Sequence, residues 1–415
     1  MPRNHDSSKA KRSSRHTQFT IIMQTTSNKM ERKYPLIQPE SHNPRPRLQL
    51  VFPETQKQVF TAYIGIQHHK QPTLTKEETL EQLSAPHSAI SICLTHHTPS
   101  STEQFLLLDD ILTTTRRRHT SIIWSCYWTS EQEYKTALAA LDLVSIHASL
   151  PDPIKPHIGL WKETFVSDTG RLETVYSKSD YLPGLAQLPG TWLKEHVNTG
   201  YWGAARDRIP DSAKDLFHEC SSHAHESSSN TSLSLNLPVD IGLGVSITAT
   251  NPNNIVHIRS GQYWALCTPD EKTAYTGTLE LKLRTGLEHL WGSESGAWGV
   301  RYLRNITTTP ATTYSHILLD PNQPLEMQEL QESCVTAFFK SLTHLETWAS
   351  KHPSHLAIHA GAVRHARRFG DGRKFRTWHE VSVLRAGDIG VEYVNCLPGT
   401  GVGIKDMVGV EVGEL

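Results

Sequence analysis

The chain lacks the features of a secreted scaffold, a membrane protein or a nucleic-acid binder. Its six cysteines, at 93, 126, 220, 267, 334 and 396 of 415 residues, are scattered and form no C-x-x-C pair. That argues against a zinc ribbon or a disulfide framework and fits a reducing cytoplasm. No apolar run approaches the roughly 20 residues that span a bilayer, and the start lacks the apolar core of a secretory signal. Net charge is −1, with 41 Lys and Arg against 42 Asp and Glu, so there is no broad basic footprint for nucleic acid or an acidic membrane surface. A soluble chain with small-molecule partners is expected. Its length suits two or three domains, or one α/β or barrel-like unit with extensions.

Acidic residues are also scarce in residues 1–32, which are basic and rich in Ser and Thr. This segment reads as a disordered tail, with a mitochondrial presequence or a start at Met23 or Met30 as alternatives. A second biased stretch, HECSSHAHESSSNTS at 218–232, offers His223 and His225 as metal ligands, but a surface loop is the plainer reading. Asn230 and Asn305 head Asn-x-Ser/Thr triplets, which mean little without a secretion signal. No internal repeat is visible by eye.

Between these segments, runs rich in β-branched and aromatic residues predict strands: VFTAYIGIQ (59–67), TSIIWSCYW (120–128), RLETVYS (171–177), GVSITAT (244–250), NIVHIRSG (254–261), FRTWHEVSVL (375–384) and GVEYVN (390–395). TSEQEYKTALAAL (129–141) opens with a Ser130/Glu133 capping-box pattern, and residues 270–291 carry apolar residues at helical spacing. The class is α+β.

WASKHPSHLAIHAGAV (348–363) sets histidines at 352, 355 and 359. Pro353 suits a first helical position and Gly370 the position past the end, which predicts a helix over 353–369 with His352 outside it. His355 then lies in the first turn and shares a face with His359, Ala362, Ala366 and Phe369. Zinc needs a third protein ligand beyond this pair. Two ordinary, partly buried histidines are the plain alternative. A single axial ligand to haem iron is a third reading, because a porphyrin brings its own four nitrogens.

Strand alternation in FRTWHEVSV puts Phe375, Thr377, His379, Val381 and Val383 on one face, with Arg376, Trp378, Glu380 and Ser382 on the other. An inward His379 is either a satisfied core histidine or a general acid/base. The same alternation groups Ser260 with Val256 and Ile258, although a serine before glycine is often only turn chemistry. In TGYWGAARDRIP (199–210), Arg206 and Arg208 are either solvated or a donor pair.

Taken together, GYWGAARDRIP, NIVHIRSGQYW, GAWGVRYLRNI, LETWASKHPSHL and WHEVSV followed by VEYVNCLPGTG resemble, in order and spacing, the haem-containing aldoxime dehydratases, including the phenylacetaldoxime dehydratases. The likeness runs from about residue 63 to 401, with 70–118 and 218–250 matching poorly, and makes 33–415 the haem-containing domain. It implies an antiparallel β-barrel-like core of ferredoxin-like character flanked by helices, of the dimeric α/β-barrel type, with haem b between the sheet and a proximal helix. It further implies a homodimer that converts an aldoxime, R–CH=N–OH, to a nitrile and water, in the cytoplasm that the scattered cysteines already suggest. His355 matches the iron ligand. Arg208, Ser260 and His379 match the distal pocket, and Glu173 matches a recurring glutamate.

The chemistry needs those residue types. Hydroxide leaves readily only when protonated, a task for a general acid such as His379, while Ser260 and Arg208 can hold the oxime oxygen. The resemblance implies that ferrous haem takes the substrate nitrogen and that His379 then removes the aldehydic proton. Where relatives carry bulk after the iron ligand, this chain has Gly361 and Ala362, which predicts a roomier pocket and a preference for arylacetaldoximes. The rival readings are a haem peroxidase or peroxygenase and a non-catalytic haem carrier or gas sensor.

Overall fold

The computed structural model describes residues 32–69, 73–108, 119–219, 242–309, 325–402 and 407–415. The 1–31 segment, His223, His225 and Asn230 lie outside them. In chain order the elements are β1 (Arg47–Val51), β2 (Gln58–His69), α1 (Lys76–His96), β3 (Ser101–Leu107), β4 (His119–Trp128), α2 (Glu131–Ala140), α3 (Leu143–Ala148), β5 (Ile158–Asp168), β6 (Leu172–Tyr176), β7 (Trp192–His196) and α4 (Ala204–Arg208). There follow β8 (Val245–Thr250), β9 (Ile255–Tyr263), α5 (Pro269–Ala274), α6 (Glu280–Leu290), β10 (Ala297–Thr309), β11 (Glu326–Phe339), α7 (Leu342–Lys351), α8 (Pro353–Phe369), β12 (Arg376–Leu384), β13 (Ile389–Val394) and β14 (Val408–Glu414). All seven strand-like runs are strands. Ser130 caps α2 through the Glu133 N–H, and the 270–291 stretch is α5 and α6 joined by a π-helical turn, Tyr275–Leu279. Helix α1, in a poorly matching stretch, starts at a full capping box between Thr75 and Glu78 and carries Pro86 inside it.

The strands form one antiparallel sheet in the order β14-β8-β13-β5-β2-β4-β3-β10-β11-β9-β12-β6-β1-β7. The α+β class and the ferredoxin-like character hold. Among the described residues, however, the sheet has two ends and does not close into a barrel. Its halves instead curl toward each other around a shared interior, where Phe165 of β5 meets Phe338 of β11 edge-on at 5.9 Å and Ser167 donates to Ser382 of β12 at 2.9 Å.

The order is also a repeat. Each half contributes a β-α-β-β-α-β unit, β2 to β5 with α1–α3 and β9 to β12 with α5–α8, placed symmetrically about the β3–β10 junction. Registers agree: Gly65 faces Trp161 across β2 and β5, and Gly261 faces Trp378 across β9 and β12. A side chain on either glycine would collide with the indole lying across it. The repeat escapes the eye because it rests on register and close approach, which different residues on the helix-covered face can all satisfy.

Away from the edge strands β7 and β14, which are largely exposed, both faces of the sheet are buried. One faces the shared interior and the other is covered by helices, α1–α3 over the first half and α5–α8 over the second. His379 therefore faces the helices, and Trp378 and Glu380 the interior. No helix among the described residues is long and apolar enough to cross a membrane.

Candidate active site

A cavity of about 430 Å³ lies between the second half of the sheet and the helices over it, within the size range of cofactor and ligand pockets. Its walls are largely apolar, with Leu287, Leu290, Val335, Phe339 and Ile358 among them. Helix α8 begins and ends where Pro353 and Gly370 predict, with His352 as its N-cap. The His352 Nδ1 accepts from the Ser354 N–H at 3.3 Å and sits 2.8 Å from the Ser354 hydroxyl.

One turn in, His355 lines the cavity. Its Nδ1–H donates to the Ala349 carbonyl in the last turn of α7 at 2.7 Å. That bond fixes the tautomer and leaves Nε2 with its lone pair free. Burial lowers the pKa of this imidazole, keeping it neutral and able to bind a metal. Trp348 packs edge-on to it at 4.6 Å. His359 also lines the cavity but lies exposed beside Trp202, 5.5 Å between rings.

Polar groups converge on the opposite wall. Ser260 and His379 face each other directly across β9 and β12, as close as cross-strand neighbours come. Among the described residues the Ser260 hydroxyl has one contact, at 3.5 Å to the Trp378 carbonyl, leaving it available to a ligand. His379 Nε2 stands 3.1 Å from Glu173 Oε1 and 3.2 Å from Arg208 Nη2, so one ring nitrogen meets both a proton acceptor and a donor. Arg208 holds Glu173 in a two-pronged pair, Nε to Oε2 at 2.8 Å and Nη2 to Oε1 at 3.0 Å, while its Nη1 donates to the Asn198 carbonyl at 2.8 Å. Burial alone would raise the Glu173 carboxyl, but the charges of Arg208 and His379 overcome it and hold the group at about 2. Glu173, with no solvent exposure, is thus held as a carboxylate by its cationic neighbours.

The zinc reading fails on geometry, because no three His, Cys, Asp or Glu side chains among the described residues converge as a metal site. Comparison with known proteins points elsewhere. Residues 62–402 match the family of haem-containing dehydratases. This chain belongs to that family. It is 27% identical over 369 residues to the phenylacetaldoxime dehydratase of Bacillus sp. strain OxB-1, covering 88% of this chain and 92% of that one. It is 27% identical to the aliphatic aldoxime dehydratase of Rhodococcus globerulus, covering 86% and 89%. The crystal structure of an aldoxime dehydratase in complex with butyraldoxime shares the fold, with a TM-score of 0.68 at 24% identity over 89% of this chain and 92% of that one.

The cavity of this haem-containing dehydratase fits its cofactor. A lone neutral imidazole with a free Nε2 is what a porphyrin iron requires of the protein. The Nδ1–H bond to a carbonyl raises the basicity of such a ligand, and the apolar walls suit the macrocycle. Arg208, Ser260, His379 and His355 all line this one cavity.

Arg206 is not solvated. It forms a two-pronged pair with Glu346 of α7, at 3.1 and 2.7 Å, which ties α4 to the helix before His355. Gln262 is a cavity residue that the sequence reading missed; its amide oxygen is held by the Ser333 hydroxyl at 3.2 Å. Its only signal was the alternation that already grouped Ile258 and Ser260. Gly361 and Ala362 do not enlarge the pocket. A Cβ on Gly361 would sit 2.9 Å from Leu279, so this glycine serves the close crossing of α8 with the π-helical turn that leads into α6, and Ala362 packs against the cluster that contains Tyr275 and Phe375.

Proposed function

We propose that the chain dehydrates aldoximes to nitriles, with His355 holding the haem and His379, Ser260, Arg208 and Glu173 forming the distal site. One observation carries this reading: a haem-ready imidazole and a complete acid/base set share one apolar cavity. A ferrous haem, when bound, supplies an electron-rich iron for the oxime nitrogen.

The side chains supply the proton transfers. Glu173, ionised and pinned by Arg208, keeps a proton on His379 Nε2 in the way a carboxylate orients a triad histidine. The working nitrogen is then Nδ1, which has no partner among the described residues. In the protonated form Nδ1–H donates to the oxime oxygen, and Ser260, directly opposite, holds that oxygen from a second side. As N–O breaks, the oxygen leaves as water. The lone pair returned to Nδ1 takes the aldehydic proton, so protons and electrons balance and nothing is oxidised. A cytoplasmic homodimer completes the proposal. The free state of Cys93, Cys126, Cys267, Cys334 and Cys396 supports the reducing compartment, and the family resemblance supports the dimer.

The test is anaerobic incubation of the dithionite-reduced holoprotein with phenylacetaldoxime and butyraldoxime. Nitrile should form from at least one and should fall sharply in the ferric protein. Haem-replete, reduced protein that forms no nitrile from either oxime would refute the reading.

A further inference from the structure

Three consecutive charged residues end α4, and each is tied to a different part of the molecule. Arg206 reaches α7 and Arg208 reaches Glu173 and His379. Asp207 reaches residues far outside the site. Its carboxylate is buried and forms no ion pair among the described residues; it accepts instead from the Ile37 N–H at 2.9 and 3.1 Å, the Gln38 N–H at 3.1 Å and the Tyr201 hydroxyl at 2.8 Å. Burying a carboxylate on neutral donors is costly unless they are all in place.

A helix of five residues cannot fix its own position, because so short a segment does not repay the cost of its first turn. Its internal bonding includes the Asp207 N–H to the Gly203 carbonyl at 3.1 Å. The chain from Arg32 to His42 supplies the missing anchorage on both sides of it. Arg32 donates to the Ser212 hydroxyl at 3.0 Å, and the Lys33 and Tyr34 N–H groups donate to the Ala213 carbonyl at 2.9 and 3.2 Å. Before the helix, the His42 Nε2–H donates to the Thr199 carbonyl at 2.8 Å, and its ring meets Tyr201 edge-on. This strap precedes the residues that match the family, which begin at 62.

We propose that residues 32–42 are a working part of the catalytic site: their N–H groups at Ile37 and Gln38 seize Asp207 and so fix where Arg208 meets Glu173 and His379. Asp207 is then a positioning residue for the dehydration. This rests on the reading of Arg208 given above.

The experiment is a cycle of Asp207→Asn, Ile37→Pro and Arg208→Ala, alone and combined, scored as haem per chain and as kcat and KM per haem with the best aldoxime. Asp207→Asn alters the clamp from one side, and Ile37→Pro removes a single backbone donor from the other. Each should retain haem and lower kcat about 10–100-fold, the cost of a small misplacement of a catalytic group, with KM within about twofold. In the Arg208→Ala background neither should lower kcat further, because residues acting through one group are not additive. Losses that persist in that background, or wild-type kcat in both single variants, would overturn the proposal. Should Ile37→Pro fail to fold, Asp207→Asn decides alone. Wild-type turnover in Arg208→Ala would instead sink the reading of the site itself.

Discussion

The two halves of the sheet share strand order and register, yet the cavity of the candidate site lies on the second. Equivalent positions show why. Counting from the paired glycines, Ser260 corresponds to Ile64, His379 to Lys162, and Val335, which faces Ser260, to Trp124, which faces Ile64. In the first half Ile64 and Trp124 are buried beneath α1–α3, and Lys162 is consumed by Glu392 at 2.8 Å and the Leu141 carbonyl at 2.9 Å. In the second half a serine and a valine take less room, and His379 keeps one ring nitrogen free. Arg208 comes from the segment between the halves and has no counterpart to match. A site on this scaffold is therefore a matter of what is not filled and what is not paired.

The largest effect should come from closing the second half as the first is closed. Val335→Trp places the first half's side chain in the cavity wall, and haem per folded chain should fall to near zero. His355→Ala should do the same by removing the ligand, whereas His352→Ala and His359→Ala should purify with near-normal haem. A haem-replete Val335→Trp protein would show that the cofactor sits elsewhere.

Smaller changes should spare the haem and remove the chemistry. General acid/base residues contribute about 10²–10⁴ in rate, and His379→Ala should approach the upper end because both proton transfers are assigned to it. Ser260→Ala should cost about 10²–10³, the effect of one lost donor at a developing charge. Turnover per haem, rather than per protein, separates these outcomes from lost stability. An unchanged value in His379→Ala would leave the catalytic acid unassigned.

Local features of the site were legible in the sequence, and distant ones were not. Pro353 and Gly370 mark both ends of α8, and alternation alone places His379, Val381, Ile258 and Ser260 on one face. The partners that give these residues their chemistry are remote: Glu173 lies 206 positions from His379, and Asp207 lies 170 from Ile37. No periodicity spans such distances. Gly361 misled for a related reason, because a missing side chain signals close approach without saying to what.

The first half offers the reciprocal experiment. Trp124→Val copies the second half's residue into a face that helices already cover, so it opens a void of side-chain size, bordered by the buried His87 ring 4.9 Å away and too small for a macrocycle. Stability should fall by about 3 kcal/mol, as for large-to-small changes in a core, measured by denaturant unfolding. Haem per chain and turnover per haem should not change. A loss of haem on this change would mean that the halves are coupled through the shared interior.

The smallest effect contrasts Glu173 of β6 with Glu380 of the neighbouring β12, which face opposite sides of the sheet. Burial pushes the Glu380 carboxyl up to about 7; it accepts from the Leu185 N–H at 2.7 Å and the Tyr127 hydroxyl at 3.0 Å. Near it, Arg259 gives its Nη1 to Glu103 and Tyr127. The folded chain therefore holds the Glu380 proton more tightly than the unfolded chain does, so this group lowers stability as pH rises from about 4.5 to about 7 and has no further effect above that. Glu173 has the opposite sign: held at about 2, it contributes stability above about 4.5 that is lost as pH falls through the folded value. Glu380→Gln keeps the shape and removes the titration. Compared with wild type at pH 5 and pH 7, it should gain relative stability at the higher pH while turnover per haem stays within about twofold, because the side chain faces the interior. An equal gap at both pH values would mean that Glu380 stays ionised, held by Arg259 as firmly as Arg208 holds Glu173.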